Sequence, residues 1–167
     1  MIATHVPGVT LRAATASDVA LIRTLIVELA EYEKLAHEVA ATEDLLREHL
    51  FGATPRAEAV IAEHGGEPAG FALFFHNFST FLGRPGLYLE DLYVRPAHRG
   101  RGLGRLLMAY LAKLALERGC GRFEWWVLDW NEPVIAFYRA LGAEPMADWT
   151  VQRVSGTALQ KLAAAFP

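Results

Sequence analysis

Between Arg95 and Arg105, four arginines and His98 accompany three glycines, and no carboxylate interrupts them. The centre of this stretch, Arg99-Gly100-Arg101-Gly102-Leu103-Gly104, lies between a strand-like run and an apolar helix-like run. Glycine lets a backbone approach a ligand closely, and N–H groups at a helix start favour phosphate oxygens. The spacing fits neither common nucleotide loop. A Walker loop needs a Gly-Lys-Ser/Thr ending, and a dinucleotide fold needs Gly-x-Gly-x-x-Gly rather than Gly-x-Gly-x-Gly. A second charge concentration has the opposite sign: Glu28, Glu31, Glu33, Glu38, Glu43, Asp44 and Glu48 stand against Lys34 and Arg47, a local net of 2 − 7 = −5. Such a pair of regions suits a cationic substrate and an anionic cofactor, or else forms two solvated faces.

Three further residues could move protons. Glu90 and Asp91 lie in the run Leu87–Val94, where strand alternation sends neighbours to opposite faces, so one of the two is a solvated or structural carboxylate. Tyr138 sits beside Phe137 on a helix-like segment, and a phenol with a pKa of about 10 can protonate a thiolate. Cys120, the single cysteine, follows Gly119 with no catalytic histidine pattern around it, which marks a packing residue rather than a nucleophile. The six histidines show no HxxxH or HxH pair, so no metal site is expected. Of Trp125, Trp126, Trp130 and Trp149, one or two could face a cationic substrate while the rest pack.

The elements that must position these groups read as follows. Val9–Ala13 is a first strand. Thr15 with Asp18 three positions later resembles a helix start, and Val19, Ile22, Leu25, Ile26 and Leu29 continue at helical spacing to about Tyr32. Thr42 opens a shorter helix to about Leu50. Ala57–Glu63 and Ala69–Phe78 form a hairpin about His64-Gly65-Gly66-Glu67. Leu87–Val94 is a strand, Arg105–Arg118 a helix closed by Gly119, and Arg122–Leu128 a strand. Asn131-Glu132-Pro133 starts the next helix, which Leu141-Gly142 closes, and a strand near Thr150–Val154 precedes a short helix after Ser155. This order indicates an α/β fold with a mixed sheet flanked by helices.

The 167 residues suit one domain, and 53% hydrophobic with 21% charged residues excludes a disordered chain. The apolar runs fall short of a membrane span, and Met1–Gly8 lacks the pattern of a secretory leader, so an intracellular protein is expected. With a net charge of −3 and only one short basic run, nucleic acid is not an expected partner.

Arg99-Gly100-Arg101-Gly102-Leu103-Gly104 resembles the Gln/Arg-x-x-Gly-x-Gly/Ala motif of the GNAT acyltransferase superfamily, with the strand and helix in the expected places. Tyr88-Leu89-Glu90-Asp91-Leu92-Tyr93-Val94, Trp130-Asn131-Glu132-Pro133, Phe137-Tyr138 and Glu28-Leu29-Ala30-Glu31-Tyr32-Glu33 are similar to the diamine (spermidine/spermine) and thialysine N-acetyltransferases. The resemblance runs from Leu11 to about Leu162. It implies the GNAT fold, with a mostly antiparallel central sheet, as a single N-acetyltransferase domain over residues 1–167. It also implies acetyl-CoA as donor, no metal, a cytoplasmic homodimer, and direct transfer to a primary amine of a polyamine, diamine or thialysine-like amino acid. The same resemblance implies that the backbone of Leu92, Tyr93 and Val94 pairs with the pantetheine amides. Arg99, Gly100, Arg101, Gly102, Leu103, Gly104 and Arg105 would hold the pyrophosphate, and Asn131 would complete the channel. Tyr138 matches the family's general acid, and Glu90 its carboxylate near the acceptor amine, as charge anchor or proton acceptor. A backbone N–H near Tyr93 would steady the oxyanion. Tyr32, Glu33, Glu124 and Trp126 match acceptor-lining positions, although the family varies there. Acetylation of an amino sugar, an antibiotic or a protein lysine is the alternative, as is a CoA-binding module without turnover.

Overall fold

The computed structural model describes residues 1–166 and forms two compact units, one from Met1 to Val127 and the other from Leu128 onward. The first holds a six-stranded sheet in sequential order: β1 (Ile2–Ala3), β2 (Val9–Ala13), β3 (Glu58–His64), β4 (Glu67–Ser79), β5 (Arg84–Val94) and β6 (Phe123–Trp125). All neighbours pair antiparallel except β5 and β6, which are parallel. The parallel pair is joined through α3 (Leu103–Glu117), the kind of crossover that parallel strands require. Helices α1 (Val19–Tyr32) and α2 (Glu43–Phe51) lie between β2 and β3 in the chain.

Apolar spacing explains the layering. Ile22, Leu25 and Leu29 form one stripe of α1 and pack with Leu50 of α2 on Ile61, Phe71, Leu73 and Tyr93 of the sheet. Their strand neighbours Val60, Ala62 and Ala72 point the other way and are buried too, so the sheet is covered on both faces. The second cover is α3, which lies against β4 and β5 with Leu103, Leu107 and Leu111 fully buried.

The start of α1 is tied down by charge. Asp18 accepts two bonds from the Arg12 guanidinium at 2.8 Å and one from the Thr15 N–H at 2.8 Å, while Arg12 Nε reaches Glu63 at 2.6 Å. Arg12 holds the Asp18 carboxyl down at about 2. A depressed carboxylate contributes stability that is complete above its ordinary pKa and is lost as pH falls through the folded value. The expected result is therefore about 2 kcal/mol of Asp18-dependent stability that fades between pH ~4 and ~2. Urea titrations of wild type and Asp18→Asn across that window measure it; an equal loss at pH 7 and pH 2 would reject the linkage.

The strand ends differ from expectation in three places. A two-residue strand, β1, precedes Val9–Ala13. The strand expected over Arg122–Leu128 pairs only through Phe123–Trp125. The strand expected near Thr150–Val154 is absent, a correction: the five residues are exposed and belong to no ladder. Among the described residues they join no ladder, and β propensity is realised only against a partner. In the second unit, α4 (Glu132–Arg139) starts at Asn131 with Pro133 in its first turn, and α5 (Gly156–Ala163) follows Ser155.

Candidate active site

The donor side of the site starts at a parting in the sheet. β5 pairs with β6 only over Leu87–Leu89, whereas its pairing with β4 continues to Val94. Glu90 is the reason for a change of parity within β5. Leu73 faces Asp91 and Phe74 faces Leu89, so Glu90 is the extra residue of a β-bulge. Before the bulge, Leu87 turns its N–H toward β6 and bonds the Arg122 carbonyl. Beyond it, the Arg95 N–H bonds Ala69 on the β4 side, so Tyr93 also faces β4 while Leu92 and Val94 turn their backbone groups to the open edge. Without the extra residue, the odd-numbered positions would have faced that edge throughout.

The glycine loop follows at once. Pro96–His98 form a single 3-10 turn, and Gly100 and Gly102 adopt φ of +72° and +85°. Gly102 is the residue before α3, so the loop ends on the free N–H groups of that helix. A Cβ at Gly100 would meet nothing within 4 Å, and one at Gly102 only Val6 at 4.0 Å, which leaves the loop backbone open to a ligand. Arg101 and Arg105 are exposed beside it. Arg99 behaves differently. Its Nε donates to the Val94 carbonyl at 2.8 Å, and its guanidinium lies 5.0 Å from the Tyr32 ring and 5.7 Å from the Tyr93 ring. It therefore links α1 to β5 as a cation over two aromatic faces.

The acidic side gathers next to the bulge. Glu90 is exposed, and Asp91 is half-buried. Burial, with the charges of Glu90 and Glu33, pushes the Asp91 carboxyl up to about 7. Burial also raises Glu33 at the end of α1. Glu28, one turn earlier, is committed elsewhere: it takes a forked pair of bonds from Arg95, whose third arm reaches the Pro68 carbonyl. Asp91 is thus a carboxyl strongly shifted by its surroundings, which the sequence did not single out. Its only local signal was a second carboxylate beside Glu90, since the approach of Glu33 depends on tertiary packing.

The remaining acceptor-side candidates divide. Trp126 is exposed and meets Tyr88 edge-on at 5.8 Å. Glu124, on β6, is held by Asn77 at 2.9 Å and lies 2.6 Å from Arg122 Nε, so its carboxylate already has a cation. In the second unit, Asn131 and Tyr138 are buried. The Asn131 carbonyl accepts the N–H groups of Val134 and Ile135 at the head of α4, and the Tyr138 ring lies against Phe137. Among the described residues no group of three or more His, Cys, Asp or Glu could hold a metal ion, and no helix is long and apolar enough to cross a membrane.

Residues 22–143 match the Acetyltransferase (GNAT) family. The chain belongs to that family and is an acyltransferase enzyme that transfers acetyl to an amine; the family's cosubstrate is acetyl-CoA. It is 40% identical to thialysine N-epsilon-acetyltransferase of Bos taurus, over 93% of this chain and 97% of the relative. It is 32% identical to L-ornithine N5-acetyltransferase NATA1 of Arabidopsis thaliana, over 91% of this chain and 86% of the relative. Among solved structures, the integron cassette protein VCH_CASS6 of V. cholerae superposes with a TM-score of 0.79 at 26% identity, over 93% of this chain and 98% of that one.

Proposed function

We propose that the protein transfers acetyl from acetyl-CoA to the primary amine of a small acceptor that carries a second positive charge: a polyamine, a diamine or a thialysine-like amino acid. The observation that supports this most is the meeting of Glu33, Glu90 and Asp91 beside the parted end of β5. The relatives' names point the same way, since thialysine and ornithine both present a side-chain amine on an amino acid.

In this reading, the open-edge groups of Leu92 and Val94 pair with the pantetheine amides. Gly100–Gly104 and the start of α3 receive the pyrophosphate, with Arg101 and Arg105 at hand. The acceptor arrives as an ammonium ion with a pKa of about 10 and must lose a proton before its lone pair can attack. Glu90, exposed and charged, draws it in, and Asp91 takes the proton. Leu92, whose N–H faces the opening, is the backbone donor for the oxyanion. Tyr138 is assigned to the departing thiolate by its match to the family's tyrosine, and Asn131 to the pantetheine channel on the same ground. Tyr32, Glu33, Glu124 and Trp126 line the acceptor side, with Arg122 limiting what Glu124 offers to a second cation. Location in the cytoplasm and assembly as a homodimer belong to the same proposal. The exposed apolar Met146, Trp149, Leu162 and Phe166 of the second unit are surfaces that a second copy would cover.

Two measurements test the acceptor chemistry. Glu33→Gln removes charge at nearly constant shape, so it should raise the KM for a diaminopropane-like acceptor several-fold and leave a propylamine-like acceptor almost unchanged. Salt should weaken the same preference over a Debye length of about 8–10 Å. A wild type with no preference for the second cation would end the polyamine-like reading while leaving amine acetylation intact. The second concerns Asp91. A carboxyl raised to about 7 keeps its proton below that pH and cannot accept another. The kcat/KM should therefore climb about tenfold per pH unit toward 7 and then level, a limb distinct from the amine's own near ~10. Asp91→Asn should lose that limb; an unchanged profile would place the proton acceptor elsewhere.

A further inference from the structure

Outside this site, two imidazoles face each other across a short gap. His64, the last residue of β3, and His98, the last of the 3-10 turn, bring their Nδ1 atoms to 3.2 Å, with ring centroids 5.3 Å apart and planes at 86°. Both are half-buried. The backbone at Gly8 passes along the other edge of the His64 ring, where a Cβ would lie 3.4 Å from Cδ2 and 3.5 Å from Nε2. That contact leaves the Nδ1 edge turned toward His98.

We propose that His64 and His98 form a two-imidazole site for one divalent transition cation of the zinc type. With metal–nitrogen bonds of about 2.0–2.1 Å, nitrogens 3.2 Å apart subtend about 100–106° at the metal, close to the tetrahedral angle. In the hydrogen-bonded pair the two Nδ1 atoms face each other, so the cation would replace the shared proton from a point beside the N···N line, reached by a modest rotation of both rings. As a neutral pair, one ring holds its proton on Nδ1 and the other on Nε2. Coordination needs both Nδ1 lone pairs, so the donor ring's proton moves to its own Nε2, and no charge is lost from the neutral pair. No third protein ligand converges among the described residues, so water completes the shell. Imidazole nitrogen selects zinc, copper or nickel over magnesium and calcium, which take oxygen. Of the arginines nearest in sequence, Arg95 is forked onto Glu28, whereas Arg99, over two tyrosines, and the exposed Arg101 keep their charge and set a repulsion that the two metal–nitrogen bonds must exceed. A bound cation would clip the β3–β4 hairpin to the residue just before the glycine loop. This site is independent of the acceptor proposed above.

The test uses the purified protein and the metal alone. Zinc chloride titrated by calorimetry should show one saturable site in wild type, with magnesium chloride giving none. His64→Gln and His98→Gln keep a polar side chain but lose the imidazole, and each should weaken zinc binding about tenfold or more. Circular dichroism confirms that both variants remain folded, and an unfolded one is replaced by the corresponding asparagine. Absence of saturable zinc binding in wild type, or full affinity in either folded variant, would overturn the assignment.

Discussion

Replacing Gly102 with valine should abolish measurable acetyl-CoA binding while the protein stays folded. Space is not the obstacle, since only Val6 comes within 4.0 Å of a new Cβ. The obstacle is the backbone. Gly102 sits at φ +85°, ψ 1°, and a β-branched residue in that left-handed region costs about 1–3 kcal/mol or more. The loop is exposed and few contacts oppose its rearrangement, so it should relieve the strain by turning the N–H groups at the head of α3 away from the phosphates. The core beneath, with Leu103 and Leu107 buried, is untouched. Calorimetry for binding and near-ultraviolet dichroism for packing check the two halves separately. Unchanged affinity in a well-packed variant would remove the donor from this loop.

Tyr138→Phe should reduce turnover by about 10²–10⁴ and leave donor affinity nearly constant. The ring is buried against Phe137, and phenylalanine keeps that contact. Only the hydroxyl is lost, so a packing role predicts wild-type chemistry whereas a proton donor to the thiolate does not. Single-turnover rates with saturating acetyl-CoA separate the cases, and a chemical step equal to wild type would leave Tyr138 as a core residue.

The helices and the glycine loop were legible because their signals are local. The stripe at Ile22, Leu25 and Leu29, the Thr42 start that accepts the Leu45 N–H, and Gly102 before Leu103 all lie within a turn or two of chain. The bulge at Glu90 was not legible. It exists because ten residues on each side of the hairpin pair with a single shift, and strand alternation read along one strand cannot register an insertion relative to its partner. The reading of Glu90 and Asp91 as one functional and one idle carboxylate failed to foresee that Asp91 is the strongly perturbed group, pushed up by burial and by Glu33 from another element. Arg99 shows the same limit. Its stacking on Tyr32 and Tyr93 and its bond to Val94 come from tertiary packing, which its place in the motif does not signal. Thr150–Val154 erred in the opposite direction, since good strand-forming residues found no strand to join.

The parted strands also bear on which molecules the protein can ignore. Leu92 and Val94 present amide hydrogens and a carbonyl to a gap rather than to β6, and such groups stay hydrated until something of their own kind replaces the water. A nucleotide offers phosphates to the glycine loop but has no amides to lay along the gap. With the donor placed as proposed, adenine nucleotides abundant in any cell would meet only half of the recognition, and their phosphates alone would leave the gap wet. Discrimination rests in this view on a few backbone groups that no side-chain substitution can remove. One inserted residue decided which of them face the gap.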